Sequence, residues 1–246
     1  AAGAFRFIAE SMVKDGRLGH SWRAGRLVFP GLSADYAAMV GAALALAEAT
    51  GEPAYLDQAV TWQAMLETHH ATEAGGYYLT ADDAEGLILR PEATADDAVT
   101  NPQALIARNL VRLAILTGDD AYRARADRLF DALLPRAAPN LYSHAGLLNA
   151  LDTRLRAREV VVIGAGAEAD VLTDAARRMP LVDVSVQRVS DPSALPGDHP
   201  ARAKATSLTS GGDVGNGSPA AFVCAGGSCS LPVTEVNRLE ELLRGG

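Results

Sequence analysis

The strongest constraint on the fold of this chain is an internal repeat of a helical pair. Ala- and Leu-rich stretches with helical period form two pairs, 34–49 with 54–69 and 104–116 with 121–134. The pairs match at an offset of 67 residues, which carries Thr50-Gly51 onto Thr117-Gly118 and Tyr55 onto Tyr122. Tetratricopeptide-like arrays repeat at about 34 residues, so the period is too long for one hairpin of that kind, although two units could imitate it. The chain is therefore predicted to repeat a helical hairpin with a long connection.

The connection between the hairpins and the helix ends carry turn and strand signals. Residues 75–80 and 86–91 flank the polar pair Asp82-Asp83, a pattern that predicts a β-hairpin. Ser33 is a possible N-cap of the first repeated helix, and Gly51 is expected to close that helix. Helical hairpins joined by long loops are typical of an α/α toroid, whose inner helices direct loops toward one face where a pocket can form.

The pattern changes near residue 158, where a short α/β segment is predicted. A β-branched run at 160–163, a helix at 167–179 and an alternating strand at 182–189 make a βαβ unit. Residues 191–219 are rich in Pro, Gly and Ser, so we expect them to be mostly loop. A third strand and a last helix are predicted at 220–223 and 234–243.

These patterns together predict a mainly α fold in two parts. Residues 1–157 are expected to form helical hairpins of a partial α/α toroid, which include a further helix at 143–155. Residues 158–246 are expected to form a small C-terminal α/β (βαβ) subdomain. The chain begins without an initiator Met or a signal segment, and we expect it to be part of a longer protein.

Composition and charge argue against two classes of partner. The 246-residue chain has 22 basic and 30 acidic residues, a net charge of −8 and no basic cluster, which argues against nucleic acid. No apolar run approaches the roughly 18 residues that a membrane span needs, so no membrane contact is predicted. Two cysteines cannot form a disulfide framework and favour a reducing compartment, or at most one special pair. A cytoplasmic location is therefore expected.

Aromatic and polar residues in the predicted loops of the helical part form the main candidate site. Sugar-binding sites combine an aromatic platform with carboxylates and Arg that bind hydroxyls, and paired carboxylates drive glycoside chemistry. Each residue also has a structural interpretation, because Tyr36 can belong to the core and Asp96-Asp97 to a solvated loop. His69-His70 are expected to complement the dipole at a helix end. The candidates are His20, Trp22, Asp35, Tyr36, Tyr77, Arg90, Asp96 and Asp97.

Two glycine-containing turns in the C-terminal part are candidate sites with open alternatives. Cys224 and Cys229 are compatible with a redox-active or labile disulfide, with half a metal site, or with buried structural thiols. A metal needs two further ligands that the nearby sequence does not supply, so no metal is predicted. Gly164-x-Gly166 precedes a helix as in dinucleotide-binding turns, but the acidic residue expected after the second strand is missing. A plain tight turn is favoured, and no cofactor is predicted.

Several short motifs occur in a characteristic order along the chain. The most specific runs from Ala221-Phe-Val-Cys224 through Cys229-Ser-Leu-Pro232-Val-Thr234 into the last helix. The earlier ones are 31–37, Gly75-Gly76-Tyr77-Tyr78, Leu89-Arg90, 96–98, 109–113, Thr117-Gly118 and 160–164. This ordered set spans essentially the whole chain. It resembles the YyaL-type thioredoxin-domain-containing proteins, the family that includes spermatogenesis-associated protein 20.

The resemblance implies a two-part protein, in which an N-terminal thioredoxin-like domain precedes an α/α toroid related to six-hairpin glycosidases and sugar 2-epimerases. This chain is then the C-terminal portion, and the thioredoxin-like domain is its missing partner. Two departures lie in the expected pocket: Ser33-Ala34 stands where the family usually has Leu-Glu, and Thr100-Asn101-Pro102-Gln103 stands where it often has Pro-Ser-Gly-Asn. Asn101 is kept as a ligand-binding candidate.

Three functions are compatible with these residues. The leading hypothesis is a toroid that binds a carbohydrate-like or polar small molecule, by analogy of fold. The second is a thiol-linked interaction module that works with the thioredoxin-like domain through Cys224 and Cys229. The third is a sugar isomerase, epimerase or glycoside hydrolase, whose turnover depends on Asp35 and Asp97. No residue is assigned a catalytic role.

Overall fold

The computed structural model describes residues 1–84, 86–181, 183–211 and 218–245, apart from the side chains of 207–211. These residues are mostly helical, with a small four-stranded sheet in the C-terminal part. They form two compact units, one of Ala1–Ala114 with Asp119–Asp152, the other of Ile115–Gly118 with Thr153–Gly246. The predicted mainly α fold is confirmed at this level.

The repeated helical hairpin is present. Its first copy consists of α2 and α3, and its second copy of α4 and α5. The first helix of each copy ends at a glycine in the left-handed conformation, Gly51 with φ 74° and Gly118 with φ 72°. The helices up to residue 156 are α1 Ala2–Ser11, α2 Ser33–Thr50, α3 Pro53–His70, α4 Pro102–Thr117, α5 Asp120–Ala137 and α6 Ala145–Arg156.

The first helices of the two copies contact each other directly. The Asn109 side chain on α4 donates to the Ala37 carbonyl on α2 at 2.8 Å. Close approach of the two helices depends on Gly41, because a Cβ there would lie 3.2 Å from the Asn109 amide oxygen. Arg112 pairs with Glu48 at 2.6 Å further along the same contact. The repeat therefore places α2 and α4 side by side.

The start of α2 differs from the prediction. Ser33 is the first helical residue and not the N-cap, which is Leu32. The Asp35 carboxylate, on the third residue of the helix, reaches back and accepts from the Leu32 N–H at 2.7 Å, as in one half of a capping box. Ser33 is fully buried.

Two short β-hairpins between α1 and α2 were not predicted. Each closes on a two-residue turn whose residues have positive φ, Asp15-Gly16 in the first and Ala24-Gly25 in the second. Strands of two or three residues are too short to show alternation, although Asp-Gly is a signal for such turns. The strands are β1 Val13–Lys14, β2 Arg17–Leu18, β3 Ser21–Arg23 and β4 Arg26–Val28.

The β-hairpin predicted over 75–91 is wrong for the described residues of that segment. Its two halves meet through one backbone hydrogen bond, from the Leu79 N–H to the Pro91 carbonyl at 2.7 Å. Pro91 has no backbone N–H to donate a further β-ladder hydrogen bond. The Thr80 carbonyl instead accepts a hydrogen bond from the Arg90 guanidinium. The segment is therefore a loop held by side chains.

The C-terminal unit contains the predicted βαβ motif. Strands β5 Arg158–Ile163 and β6 Val184–Val189 are parallel and are joined by α7 Ala167–Arg178. Strand β7 Ala220–Ala225 runs antiparallel to β5 on its other side, and β8 Ser228–Cys229 forms the edge next to β7. The strand order is β6-β5-β7-β8. The chain then continues into α9 Val236–Arg244.

Alternate residues of β5 point to the two faces of this sheet. Val160 and Val162 pack in the cluster that α7 and α9 supply, whereas Val161 packs in a cluster with α8 Pro200–Gly211. The prediction of mostly loop over 191–219 is wrong where α8 forms. Ala201 and Ala205, one helical turn apart, are buried and pack with Phe222.

Candidate functional site

Polar side chains meet where α2 begins, where α3 ends, and where the loop after α3 passes both. The Ser33 N–H donates to the Leu79 carbonyl at 2.9 Å, and the Tyr78 N–H donates to the His70 carbonyl at 2.7 Å. The loop is therefore fixed against both helix ends by its backbone. We call Arg17, Ser33, Tyr36, His70 and Thr80 at this place the buried polar cluster.

Arg17 of β2 has its charge balanced by a carboxylate. Its Nη1 and Nη2 donate to the two oxygens of Asp83 at 2.6 and 2.9 Å. The hydrogen bond from Arg17 holds the pKa of Asp83 down to about 2. The Tyr36 hydroxyl lies beside the guanidinium and accepts from the Leu18 N–H at 3.0 Å, while burial raises the pKa of Tyr36. Arg17 therefore brings donors into the cluster without a net charge.

His70 is buried and uncharged at neutral pH. Its ring meets the Tyr36 ring edge-on, with centroids 5.6 Å apart. Burial lowers the pKa of His70 to about 4. Its Nδ1 lies 3.2 Å from the Tyr78 carbonyl, which can only accept, so Nδ1 carries the proton and Nε2 is an acceptor. The expected role of His70 as a cation at the end of α3 is therefore wrong at neutral pH.

Four buried side-chain atoms of the cluster have no hydrogen-bond partner within the described part of the chain. They are Arg17 Nε, Ser33 Oγ, His70 Nε2 and Thr80 Oγ1. Arg17 Nε is a donor, His70 Nε2 is an acceptor, and the two hydroxyls can do both. Buried polar atoms in native proteins are nearly always hydrogen-bonded, so these four unsatisfied atoms are exceptions at one place in the fold.

A more exposed group of ionisable side chains borders the cluster. His69, Asp82 and Asp83 bring ligand atoms within 4.8 Å of one another, a spacing at which such groups could hold a metal ion. Each carboxylate already has a partner, because His69 Nδ1 lies 2.8 Å from Asp82 and Arg17 binds Asp83. The Arg17 cation beside Asp83 opposes a second cation at this place.

Four of the sequence-predicted site residues lie at this place: His20, Asp35, Tyr36 and Arg90. Tyr36 belongs to the cluster itself. Asp35 binds the Leu32 N–H and also lies 2.9 Å from His20 Nδ1. Arg90 donates to the His69 and Thr80 carbonyls at 2.8 Å, and its guanidinium lies 4.2 Å from the Tyr78 ring centroid. Asp35 and Arg90 therefore position the helix end and the loop.

Trp22 and Tyr77 have contrasting environments. Trp22 lies on β3 with 41% of its surface exposed. Tyr77 is fully buried. Its hydroxyl donates to the Glu67 carboxylate, and its backbone N–H donates to the side-chain oxygen of Gln103 at 2.9 Å. Arg125 lies 4.5 Å from the Tyr77 ring centroid. Burial next to Glu67 raises the pKa of Tyr77 well above its usual value, so this tyrosine is a neutral part of the core.

Asp96 and Asn101 close a loop against α6. The Asp96 carboxylate accepts from the Asn101 N–H at 2.9 Å, from the Asn101 side chain at 2.8 Å and from the Gly146 N–H at 2.6 Å. Burial raises the pKa of Asp96, but these hydrogen bonds outweigh it and the net shift is downward. Asp97 is exposed, and its N–H donates to the Val99 carbonyl at 3.1 Å.

The two turns of the C-terminal unit are also defined. Cys224 and Cys229 are joined by a disulfide, with Cα atoms 3.9 Å apart. In the other turn, the Arg188 guanidinium donates to the Gly164 and Gly166 carbonyls, each at 3.4 Å, and pairs with Asp170. Arg188 therefore holds the turn to the start of α7.

Sequence reasoning missed four members of the buried polar cluster as site residues. Arg17 and Asp83 are 66 positions apart, and nothing local to either residue indicates their pairing. The sequence predicts Ser33 as a helix cap, His70 as a dipole partner and Thr80 as part of a strand. One sequence feature that could have indicated this site is the pair of histidines that ends a helix immediately before a loop with two aspartates.

Fold and site together define a mainly helical protein with a small sheet and a buried polar cluster. In the described ranges, no helix combines the length and apolar character required to cross a membrane. No family model matches the chain. An uncharacterized protein of Caenorhabditis elegans is 24% identical over 216 residues, a match that covers 85% of this chain. The matched region is 28% of that relative, so the chain spans little more than a quarter of its length.

Proposed function

We propose that this chain is part of an α/α toroid of the six-hairpin glycosidase-like kind, and that its buried polar cluster binds a carbohydrate-like or polar small molecule. The repeated hairpins support the toroid, because α2 and α4 lie side by side as inner helices do. The long loop after α3 passes over one helix end, where a toroid has its pocket. The proposal includes membership of the YyaL-type family, the C-terminal position in a longer cytoplasmic protein, and the thioredoxin-like domain as partner.

The hydrogen-bonding types of the unpartnered atoms in the cluster are the basis for the proposed class of ligand. A sugar hydroxyl donates one hydrogen bond and accepts others, which suits a site with one donor, one acceptor and two hydroxyls. Asp83 already balances the Arg17 charge, so the cluster favours a neutral ligand over an anion. The exposed Trp22 on β3 offers an apolar ring for a sugar face.

Binding is favoured over glycoside hydrolysis as the primary function. The Asp35 carboxylate is engaged by the Leu32 N–H and by His20, and it therefore serves the start of α2. Asp97 lies in an exposed loop. A hydrolase needs two carboxylates facing one another at a defined separation, and the hydrogen bonds of these two residues do not indicate such a pair.

Thr80→Val tests the ligand site, because it removes one unpartnered hydroxyl and keeps the shape of the side chain. The unliganded variant is expected to unfold at the same temperature as the wild type or higher, since an unsatisfied buried polar group costs about 1–3 kcal/mol. A sugar or polyol that raises the unfolding temperature of the wild type is expected to bind the variant at least about tenfold more weakly.

The measurement is thermal unfolding against neutral monosaccharides, disaccharides and polyols, with Thr61→Val as the matched control. The Thr61 hydroxyl lies on the exposed side of α3 and donates to the Asp57 carbonyl, so its loss should leave ligand binding intact. The proposal fails if no neutral sugar or polyol raises the unfolding temperature of the wild type. It also fails if the ligand stabilises Thr80→Val and Thr61→Val equally.

A further inference from the structure

We propose that the Cys224–Cys229 disulfide is a thiol–disulfide exchange site, which accepts two electrons from the dithiol of a protein partner. The bond joins two residues that are directly opposite each other in the β7–β8 hairpin. Its position in the sheet, the small loop that it closes and the charges around it each bear on this assignment.

The disulfide lies at the edge of the sheet. Strand β8 has only two residues and pairs with β7 alone, whereas β7 lies between β5 and β8. The turn that joins them is Gly226-Gly227, and residues 225–228 are exposed. Both cysteines are 7% exposed. The two cysteines pack in the cluster with α8, so a partner reaches Cys229 Sγ only by displacing the two-residue edge strand β8 and its exposed turn.

The bond is not required to hold the hairpin together. Ala225 pairs with Ser228 across the turn, and the Ser230 N–H donates to the Val223 carbonyl at 2.8 Å beyond the cysteines. The cysteines are five positions apart, so the disulfide closes a short loop and restricts the unfolded chain little. Reduction should therefore leave the fold intact, as a reversible exchange requires.

The charges at the two ends of the bond differ. Lys204 of α8 donates to the backbone carbonyl of Cys229 and to that of Ser230. Glu159 is the residue opposite Cys224 on β5, and its carboxylate binds His199 at 2.9 Å and the Gln187 side chain. A nearby cation stabilises a thiolate and a nearby carboxylate does not. The Lys204 cation therefore favours the step of the exchange in which Cys229 leaves as a thiolate.

The exchange proceeds in two balanced steps. A thiolate of the partner attacks Cys229 Sγ, the Cys224–Cys229 bond breaks, and Cys224 leaves as a thiolate that takes up a proton. The second thiol of the partner loses its proton and attacks the mixed disulfide at the partner sulfur, and Cys229 leaves as a thiolate beside Lys204 and is then protonated. The partner dithiol becomes a disulfide, and Cys224 and Cys229 become two thiols.

Mass measurement after alkylation tests the exchange on the whole chain under native conditions. Two probes are used, a reduced thioredoxin as a protein dithiol and glutathione at the same thiol concentration. We expect the equimolar protein dithiol to convert the chain to the doubly alkylated form within minutes, at least about tenfold faster than glutathione. Faster or equal reduction by glutathione would assign the site to small thiols and overturn the protein partner.

Variants test the assigned roles of Lys204 and Cys229. Lys204→Gln is expected to slow reduction about three- to tenfold, whereas Lys14→Gln, the change at the other lysine of the chain, is expected to leave the rate unchanged. With glutathione disulfide, Cys224→Ser is expected to form the mixed disulfide faster than Cys229→Ser.

Three results contradict the proposal. They are a disulfide that is reduced only after denaturant has unfolded the chain, a native chain whose two cysteines are free thiols, and equal rates for Lys204→Gln and Lys14→Gln. The first two use the wild-type chain, so they stand even if a cysteine variant fails to fold.

Discussion

Replacing Arg125 by Met is expected to lower the free energy of unfolding by about 2–3 kcal/mol. Arg125 is 8% exposed, and its Nε pairs with Glu67 at 2.9 Å. Its Nη1 and Nη2 donate to the carbonyls of Gly75 and Gly76 at 2.7 and 3.3 Å. Methionine fills much of the space but leaves these acceptors without donors. Glu67 is about one third exposed and regains water, so we expect a loss below that of a fully buried pair.

Urea unfolding followed by circular dichroism measures this loss, with Arg123→Met on the same helix as the control. Arg123 is exposed, and its Nε lies 3.5 Å from the carboxylate of Asp120, which is also exposed. Its replacement is expected to change the free energy of unfolding by less than about 0.5 kcal/mol. Equal losses for the two variants would show that the Arg125 contacts do not stabilise the protein.

Stability is expected to fall by up to about 3 kcal/mol as the pH is lowered from 6.5 to 4, because of His70. Burial lowers the pKa of this histidine from 6.5 to about 4. Between these values the unfolded chain binds a proton that the folded chain does not, and acid therefore favours unfolding. The contribution is fully present above pH 6.5, decreases toward pH 4 and is constant below it.

The pH dependence of urea unfolding in His70→Gln isolates this contribution. The variant is expected to lose the slope assigned to His70 whatever its stability at neutral pH, whereas His20→Gln is expected to retain it. The ring of His20 is about half exposed, so its replacement leaves the buried histidine unchanged. Identical slopes in the wild type and His70→Gln would contradict a buried, neutral His70.

The helical repeat could be predicted because its information is local. Periodic apolar residues mark α2 to α5, and each copy ends its first helix at a glycine, Gly51 or Gly118, whose left-handed conformation few other residues adopt. The strands β1 to β4 and helix α8 were missed for opposite reasons. The strands are too short for a pattern, and α8 is buried through small alanines, such as Ala201, within a segment rich in turn-forming residues.

The site was harder to predict than the fold, because its chemistry depends on burial. Asp35, Tyr36 and Arg90 were identified from residue type, yet two of them serve mainly to hold backbone in place. The unusual properties of His70 arise from packing against Tyr36 and from the Tyr78 carbonyl, and neither contact is visible in the sequence around the histidine.

The most direct test of the proposed function is to follow the His70 imidazole by nitrogen NMR during titration with a neutral sugar or polyol. Without ligand at neutral pH, His70 is predicted to be uncharged with its proton on Nδ1. A ligand bound in the cluster donates a hydroxyl to Nε2 and shifts that resonance. His199, whose Nδ1 accepts from the Ala201 N–H at 3.2 Å, is the internal reference and should not respond. If sugars and polyols leave the His70 Nε2 resonance unmoved, the cluster is not their binding site.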